Sequence, residues 1–231
     1  MTEPSSASFF NSWDTYRKVV AGDYMSHREI GAELNRLLRK RFEDQPVSFL
    51  DLGCGDAATL APAMEGLTLD RYKGVDLSET ALALAAENLK SLPCPVTLVN
   101  GDILTALADD VTFDVIYSSF VLHHLRTAEK AEFFRLAAQR LKKGGLLLLA
   151  DVMREENESL EAYHEHYCDW LRRSFSALNE DEKDLICNHI LKDDLPDPCS
   201  VLKAQAKVAG LTDAFPSTHF GWHRLLSFKG A

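Results

Sequence analysis

No run of about 18 apolar residues, the length a membrane-spanning helix needs, occurs in this chain of 231 residues. The longest candidate, Leu146 to Ala150, is only strand-sized, so no membrane partner is expected. Met1 to Ser8 lack a basic stretch leading into an apolar run; a frayed tail is expected there rather than a secretory signal, and a cytoplasmic location with it. Cysteine is sparse. Cys54, Cys94, Cys168, Cys187 and Cys199 are odd in number and contain no C-x-x-C, which disfavours zinc, iron–sulfur and disulfide frameworks and suits reduced, individually buried thiols. Basic residues are also in short supply, 25 against 35 acids for a net charge of -10. That field repels phosphate backbones, so no nucleic-acid partner is expected. With only 12 Gly and 8 Pro, collagenous and low-complexity readings fall away. What is left, 46% hydrophobic and 26% charged residues, suits one large domain, or one plus a small appendage, that buries a core and encloses a pocket.

Residues 9 to 43 read as two helices. In the second, Ile30, Leu34, Leu37, Leu38 and Phe42 recur at helical spacing, and Arg39, Lys40 and Arg41 complement the dipole in the last turn. From Val47 short apolar runs alternate with amphipathic ones: strands at 47–52, 71–76, 96–99, 113–118 and 145–151, helices at 56–65, 79–90, 103–109 and 128–141. That rhythm predicts a parallel sheet covered on both faces. Ser78 and Thr127 stand where N-caps belong, and Lys142-Lys143-Gly144-Gly145 reads as a helix stop. Three helical stretches at 155–209 interrupt the alternation. Asn179 with Glu182 forms a capping box, Asp197-Pro198 opens a helix and Gly210 closes it. The acids concentrate here, with a net charge of -8 over residues 154 to 200. Two strand-like runs about Gly221, 213–220 and 222–228, then finish the sheet as a hairpin.

The fold expected is therefore α/β, a Rossmann-like, seven-stranded, mostly parallel sheet with an antiparallel last strand, plus a helical cap and N-terminal helices. Its parts would be a helical lid at 1–45, a core at 46–153 and 210–231, and a cap insertion at 154–209.

Phe49-Leu50-Asp51-Leu52-Gly53-Cys54-Gly55 is an apolar strand ending in an acid and a G-x-G turn. Glycine there lets a ligand approach the backbone closely. The second strand ends at Asp76-Leu77-Ser78, where a carboxylate accepts both hydroxyls of a ribose or, alternatively, caps the next helix. The third ends at Asn100-Gly101-Asp102-Ile103. Three successive strands thus deliver an acid to one edge, which opposes a phosphate ligand and welcomes a ribose, an adenine amine and an aminoacyl cation.

With these motifs in order, the sequence resembles the class I S-adenosylmethionine-dependent methyltransferases over residues 45 to 153 and the final hairpin. The resemblance implies that Asp51, Gly53 and Gly55 lie against the methionine part of the cofactor. It implies that Asp76, with Leu77, binds the ribose, and that Asp102 with Ile103 approaches the adenine. The segment Phe113 to Leu125, including Ser118 beside the cofactor and the pair His123-His124, looks like the family's fourth strand and methyl-transfer loop. Ser118-Ser119-Phe120-Val121 replaces the Asn/Asp-Pro-Pro-Tyr/Phe motif of the base and amide methylators, and no Asp-Asn pair follows Asp151 as in magnesium-dependent members. The expectation is a methyltransferase acting on an oxygen, nitrogen or sulfur of a small-molecule acceptor, with S-adenosyl-L-methionine as cofactor and no metal. A homodimer stays an open option. Two alternatives remain: an NAD(P)-dependent oxidoreductase, opposed by Asp51 beside a would-be pyrophosphate and by the lack of any Tyr with Lys four residues later, and a non-catalytic S-adenosylmethionine-binding scaffold subunit.

His123, His124 and His27 are the candidate bases, with a plain loop hydrogen bond as the other reading of the His pair. N-terminal helices in this family often close over the cofactor, which makes Tyr16, Tyr24, His27 and Arg28 lid candidates, or else surface packing. Tyr24, Tyr163 and Tyr167 are candidates to wall the acceptor pocket, the last two equally readable as core. His164 and His166, two apart on a helix, diverge by about 200° and make a poor metal pair.

Overall fold

The computed structural model describes residues 13–43 and 45–230; the expected tail at 1–8 and the expected helix start at residue 9 lie outside them. Six consecutive residues of β1 (Val47–Leu52) are buried, as a strand covered on both faces requires. Around it β2 (Leu69–Asp76), β3 (Val96–Asn100), β4 (Phe113–Ser119), β5 (Leu141–Val152), β6 (Thr212–Asp213), β7 (Thr218–Phe220) and β8 (His223–Lys229) build an eight-stranded sheet among the described residues. The order is β3-β2-β1-β4-β5-β8-β6, with β7 also on β8. Pairs from β3 through β5 are parallel, and β8 runs antiparallel to β5. The single strand expected at 213–220 is two short segments. Pro216 interrupts it because proline cannot donate to a ladder.

Leu146, Leu148 and Ala150 face one core, and Leu147 and Leu149 the other, following the two-residue period of a strand. The first core is filled by α2 (His27–Phe42), whose buried residues are Ile30, Leu34, Leu37, Leu38 and Phe42. On the second lies α6 (Thr127–Arg140) with Phe133 and Phe134. The chain turns back between β1 and β4, so a crevice opens beyond their carboxyl ends.

Between these elements run α3 (Leu60–Ala63), α4 (Glu79–Asn88) and α5 (Ile103–Ala108). The helix expected at 56–65 shrinks to α3 because Asp56 Oδ1 accepts the Ala58 N–H at 3.1 Å and Ala57 sits at φ 56°, a turn rather than a helical start. Ser78 Oγ caps α4 by accepting the Ala81 N–H at 3.2 Å. Thr127 is already helical, and the Glu129 carboxylate takes the Arg126 N–H at 2.8 Å instead. The expected helix stop at Lys142 to Gly145 is already strand, since Leu141 pairs with Phe113.

The remaining helices are α1 (Trp13–Ala21), α7 (Leu160–Ser174), α8 (Glu180–Asp193) and α9 (Cys199–Val208). The Asn179–Glu182 capping box forms, with both bonds at 2.9 Å. Helices α7 and α8 share a third apolar cluster with Val19 of α1, whereas Cys199, Leu202 and Ala206 of α9 join the sheet's second core. Among the described residues no helix is long and apolar enough to cross a membrane.

Candidate functional site

Strand register brings the acids together. Asp51 pairs with Gly74 and Tyr117, and Asp76 with Asn100, so the carboxyl ends of β1, β2 and β3 share one edge. Asp51 is 2% exposed and accepts the Tyr72 hydroxyl at 2.6 Å. Burial pushes its carboxyl up to about 7, against the pull of that hydroxyl. Asp76 folds onto the glycine turn, its Oδ2 accepting the Gly55 N–H and its Oδ1 the Ser78 N–H, both at 2.8 Å. Burial raises this carboxyl too, while the N–H donors hold it down. Asp102 is exposed and caps α5, accepting the Leu104 and Thr105 N–H groups at 2.9 and 3.0 Å. Asp76 and Asp102 therefore organise turns, whereas Asp51 is held inside the sheet by a hydroxyl of the neighbouring strand.

These residues line one cavity of about 400 Å³. Gly53 and Gly55 have φ of 77° and 53°, and a Cβ on Gly53 would lie 2.1 Å from Val121 Cγ2. At Gly53 the space of a side chain is taken by Val121, while at Gly55 the nearest atom to a Cβ is the Tyr16 hydroxyl at 4.0 Å. No Lys or Arg lines the cavity among the described residues. The lining thus fits a ligand carrying hydroxyls, amines and a positive charge, and opposes a pyrophosphate.

The roof comes from α1, α7 and α8. Lys18 reaches Glu182 at 2.5 Å, Thr15 donates to the same carboxylate at 3.4 Å, and Tyr24 stacks on Phe175 with centroids 4.3 Å apart. Tyr16 lines the cavity close to the glycine turn, and burial followed by the charges of Asp56 and Asp76 raises its phenol. Phe120 holds a left-handed φ of 55°, strain of the kind kept at ligand sites, and its ring lies 5.2 Å from that of His27.

His123 and His124 line the same cavity from a single helical turn after β4. His123 Nδ1 sits 2.5 Å from Asp151 Oδ1, and the His123 backbone N–H donates to Asp151 Oδ2 at 3.2 Å. Burial lowers this imidazole, and the charges of Asp151 and Asp194 outweigh that to leave it raised. Asp194 Oδ1 lies 3.3 Å from His124 Nδ1 and 3.8 Å from both His123 Nε2 and His189 Nε2.

Of the residues singled out from sequence, Asp51, Gly53, Gly55, Asp76, Leu77, Asp102, Ile103, Tyr16, His27, His123, His124, Tyr163 and Tyr167 line the cavity. Ser118, Arg28 and Tyr24 lie off its wall. Ser118 is fully buried and donates to Leu52 O at 3.0 Å; Arg28 is exposed and donates to Ala21 O at 3.4 Å. The Tyr24 hydroxyl accepts the Ala177 N–H at 2.8 Å, clasping the roof instead of facing an acceptor. Sequence reasoning missed His189, Asp194 and the role of Asp151 in orienting His123. One signal was available: His189 interrupts an apolar face between Ile186 and Ile190.

His27 is half-buried, its enclosed Nδ1 lacks a hydrogen-bond partner among the described residues, and desolvation depresses its pKa to about 4, against Asp23. An imidazole depressed below its unfolded value near 6.5 gives stability that is full above that value and is lost as pH falls through 6.5 toward 4. Urea unfolding should show the parent weakening between pH 7 and 4.5 and His27→Gln flattening that slope. An unchanged slope in the variant contradicts the assignment.

Residues 49–145 match a family model described as a methyltransferase domain. The chain is 28% identical over 154 residues to an uncharacterized methyltransferase of Bacillus cytotoxicus, covering 66% of this chain and 69% of that one. It is 34% identical to phosphoethanolamine N-methyltransferase 3 of Arabidopsis thaliana, but over only 46% of this chain and 21% of that protein. Among solved structures, magnesium protoporphyrin IX methyltransferase from Synechocystis with bound SAH superposes with a TM-score of 0.67, covering 97% of each chain at 16% identity.

Proposed function

We propose, for a chain that carries a class I S-adenosylmethionine-dependent methyltransferase domain, that the methyl group goes to a lone-pair atom of a small neutral or cationic acceptor with a planar or apolar body. The observation that carries this reading is that one cavity is lined by the acid-bearing glycine turn, by the histidine cluster and by the aromatic side chains of Tyr163, Tyr167 and Phe175. When bound, S-adenosylmethionine supplies a methyl group already activated by its sulfonium. Gly53 and Gly55 would hold the methionine part, Asp76 the ribose, and Asp102 with Ile103 the adenine. Tyr163, Tyr167, Leu171 and Phe175, all buried along the cavity, would exclude water and fix an acceptor ring. Holding the two reactants in line removes much of the entropic barrier, on the order of 7–11 kcal/mol in favourable cases. The acceptor's proton would leave at the histidine end, where His123 is oriented by Asp151.

A phosphomonoester such as phosphoethanolamine suits this wall poorly, because no guanidinium or ammonium faces the cavity among the described residues. Calorimetry should show S-adenosylhomocysteine binding and no heat from NAD. With S-adenosylmethionine and a panel of phenols, thiols, azoles and amines, mass spectrometry should find a product 14 Da heavier, and phosphomonoesters should give none. NAD binding would favour the oxidoreductase, and cofactor binding without turnover across the panel would favour the scaffold.

A further inference from the structure

Four potential metal ligands from three parts of the chain converge at the histidine end of the cavity. His123 and His124 come from the turn after β4, His189 from α8 and Asp194 from just past its end. Ligand atoms of His123, His124 and Asp194 all lie within 4.8 Å of one another. Nε2 of His189 approaches the same Asp194 Oδ1, at 3.8 Å. Bonds of about 2.0–2.1 Å at tetrahedral angles set ligand atoms roughly 3.3 Å apart. For His123, His124 and Asp194, whose ligand atoms already lie within 4.8 Å of one another, that spacing needs only small side-chain shifts; His189, 3.8 Å from Asp194 Oδ1, completes the set by a larger turn of its ring.

A second, independent feature lies behind the imidazoles. Asp151 stands 2.5 Å from His123 Nδ1, and Asp193 stands 3.1 Å from His189 Nδ1. A carboxylate on one ring nitrogen fixes the proton there and turns the other nitrogen's lone pair toward the centre, as metal-ligating histidines require. The frame is rigid as well. Leu195 N–H donates to His123 O at 2.6 Å, and His164 Nε2 sits 3.0 Å from Asp194 O. The buried Lys130 ammonium donates to Leu195 O and to Asp197 at 2.5 and 2.7 Å.

We propose that His123, His124, His189 and Asp194 form a binding site for one divalent first-row transition metal of the zinc class. Three imidazoles and one carboxylate suit zinc, iron, cobalt or nickel, whereas magnesium and calcium take oxygen ligands. The metal site stands on its own geometry, while its role rests on the methyl-transfer reading. There the acceptor's reacting atom becomes a further ligand, which lowers its pKa and favours thiols, phenols and azoles. Its proton passes to solvent and its lone pair forms the bond to the methyl carbon. The carbon–sulfur bond breaks with both electrons staying on sulfur, and nothing is oxidised or reduced.

The test uses the untagged full chain, stripped with a chelator and titrated with Zn²⁺ by calorimetry and with Co²⁺ by visible absorption. One metal per chain is expected, with cobalt d–d bands of a tetrahedral or five-coordinate site and no heat from Mg²⁺. Asp151→Asn, which leaves all four proposed ligands in place and changes the partner of His123 Nδ1 together with the acceptor of the His123 and Val152 backbone N–H groups, should weaken Zn²⁺ binding by about 10–100-fold, and Asp194→Asn by more. The cobalt spectrum of the parent needs no variant, so misfolding of either one leaves the test standing. Absent cobalt bands, or equal zinc affinity in parent and folded variants, overturns the site and leaves an ion-pair network only. S-adenosylhomocysteine calorimetry on the same sample separates the two readings. Cofactor binding without metal defeats this site alone, and metal binding without cofactor defeats the methyl-transfer reading alone.

Discussion

Gly53→Val should cost at least about 100-fold in S-adenosylhomocysteine affinity, or about 2.7 kcal/mol, and lower stability by roughly 2–4 kcal/mol. Two effects combine at this position. The backbone stands at φ 77°, where a β-branched residue is a genuine outlier. A new Cβ would also fall 2.1 Å from Val121 Cγ2, and valine, stiff about χ1, has little room to turn away. Calorimetry measures the affinity and urea unfolding the stability. Repeating the test as Gly53→Ala in a Val121→Ala background removes the steric contact, so any loss of affinity that persists reports the closed approach to the turn. A folded Gly53→Val chain that binds like the parent would show that no ligand lies against this turn.

Asp76→Ala should weaken the same ligand by about 3 kcal/mol or more, over 100-fold, if its carboxylate accepts both ribose hydroxyls at about 1.5–3 kcal/mol per charge-assisted bond. The substitution also releases the Gly55 and Ser78 N–H groups, each now bonded to Asp76 at 2.8 Å. Asp76→Asn separates these contributions, because the amide oxygen can replace one acceptor while the charge is gone; its affinity should fall between parent and Asp76→Ala. Adenosine alone, which keeps the ribose and lacks the amino-acid end, should lose a similar factor in Asp76→Ala. An unchanged adenosine affinity would remove Asp76 from the ribose site.

Local chemistry made much of this protein legible. The apolar run Val47 to Leu52, the G-x-G turn after it and the acids at three strand ends announced a parallel sheet with a ligand at its carboxyl edge. All of them line the cavity or build its floor. The Asn179–Glu182 box and the α2 stripe were equally plain, because caps and helical periodicity depend on residues three or four apart. Where local signals competed, the reading slipped. Asp56 and Ala57 replaced a helix start by a turn, and Pro216 split a strand.

The far end of the cavity could not be read in this way. Tyr24 and Arg28 were grouped with Tyr16 by sequence, yet only Tyr16 reaches the wall, since helix direction and the turn at Gly22–Ser26 decide which side chains face inward. His189 and Asp194 lie more than 60 residues from His123 along the chain. Apart from the break that His189 makes in the apolar face between Ile186 and Ile190, nothing in this acidic helix marks them out from solvated surface. They meet His123 because α8 buries Ile186 and Ile190 in one cluster with Tyr163 and Leu171 of α7 and because the Leu195 N–H donates to His123 O. Sequence determined the glycine-turn end of the cavity, where Asp76 and Asp102 are positioned by the turns they cap. Only tertiary packing decided the histidine end, whose groups are carried there by elements far apart in the chain.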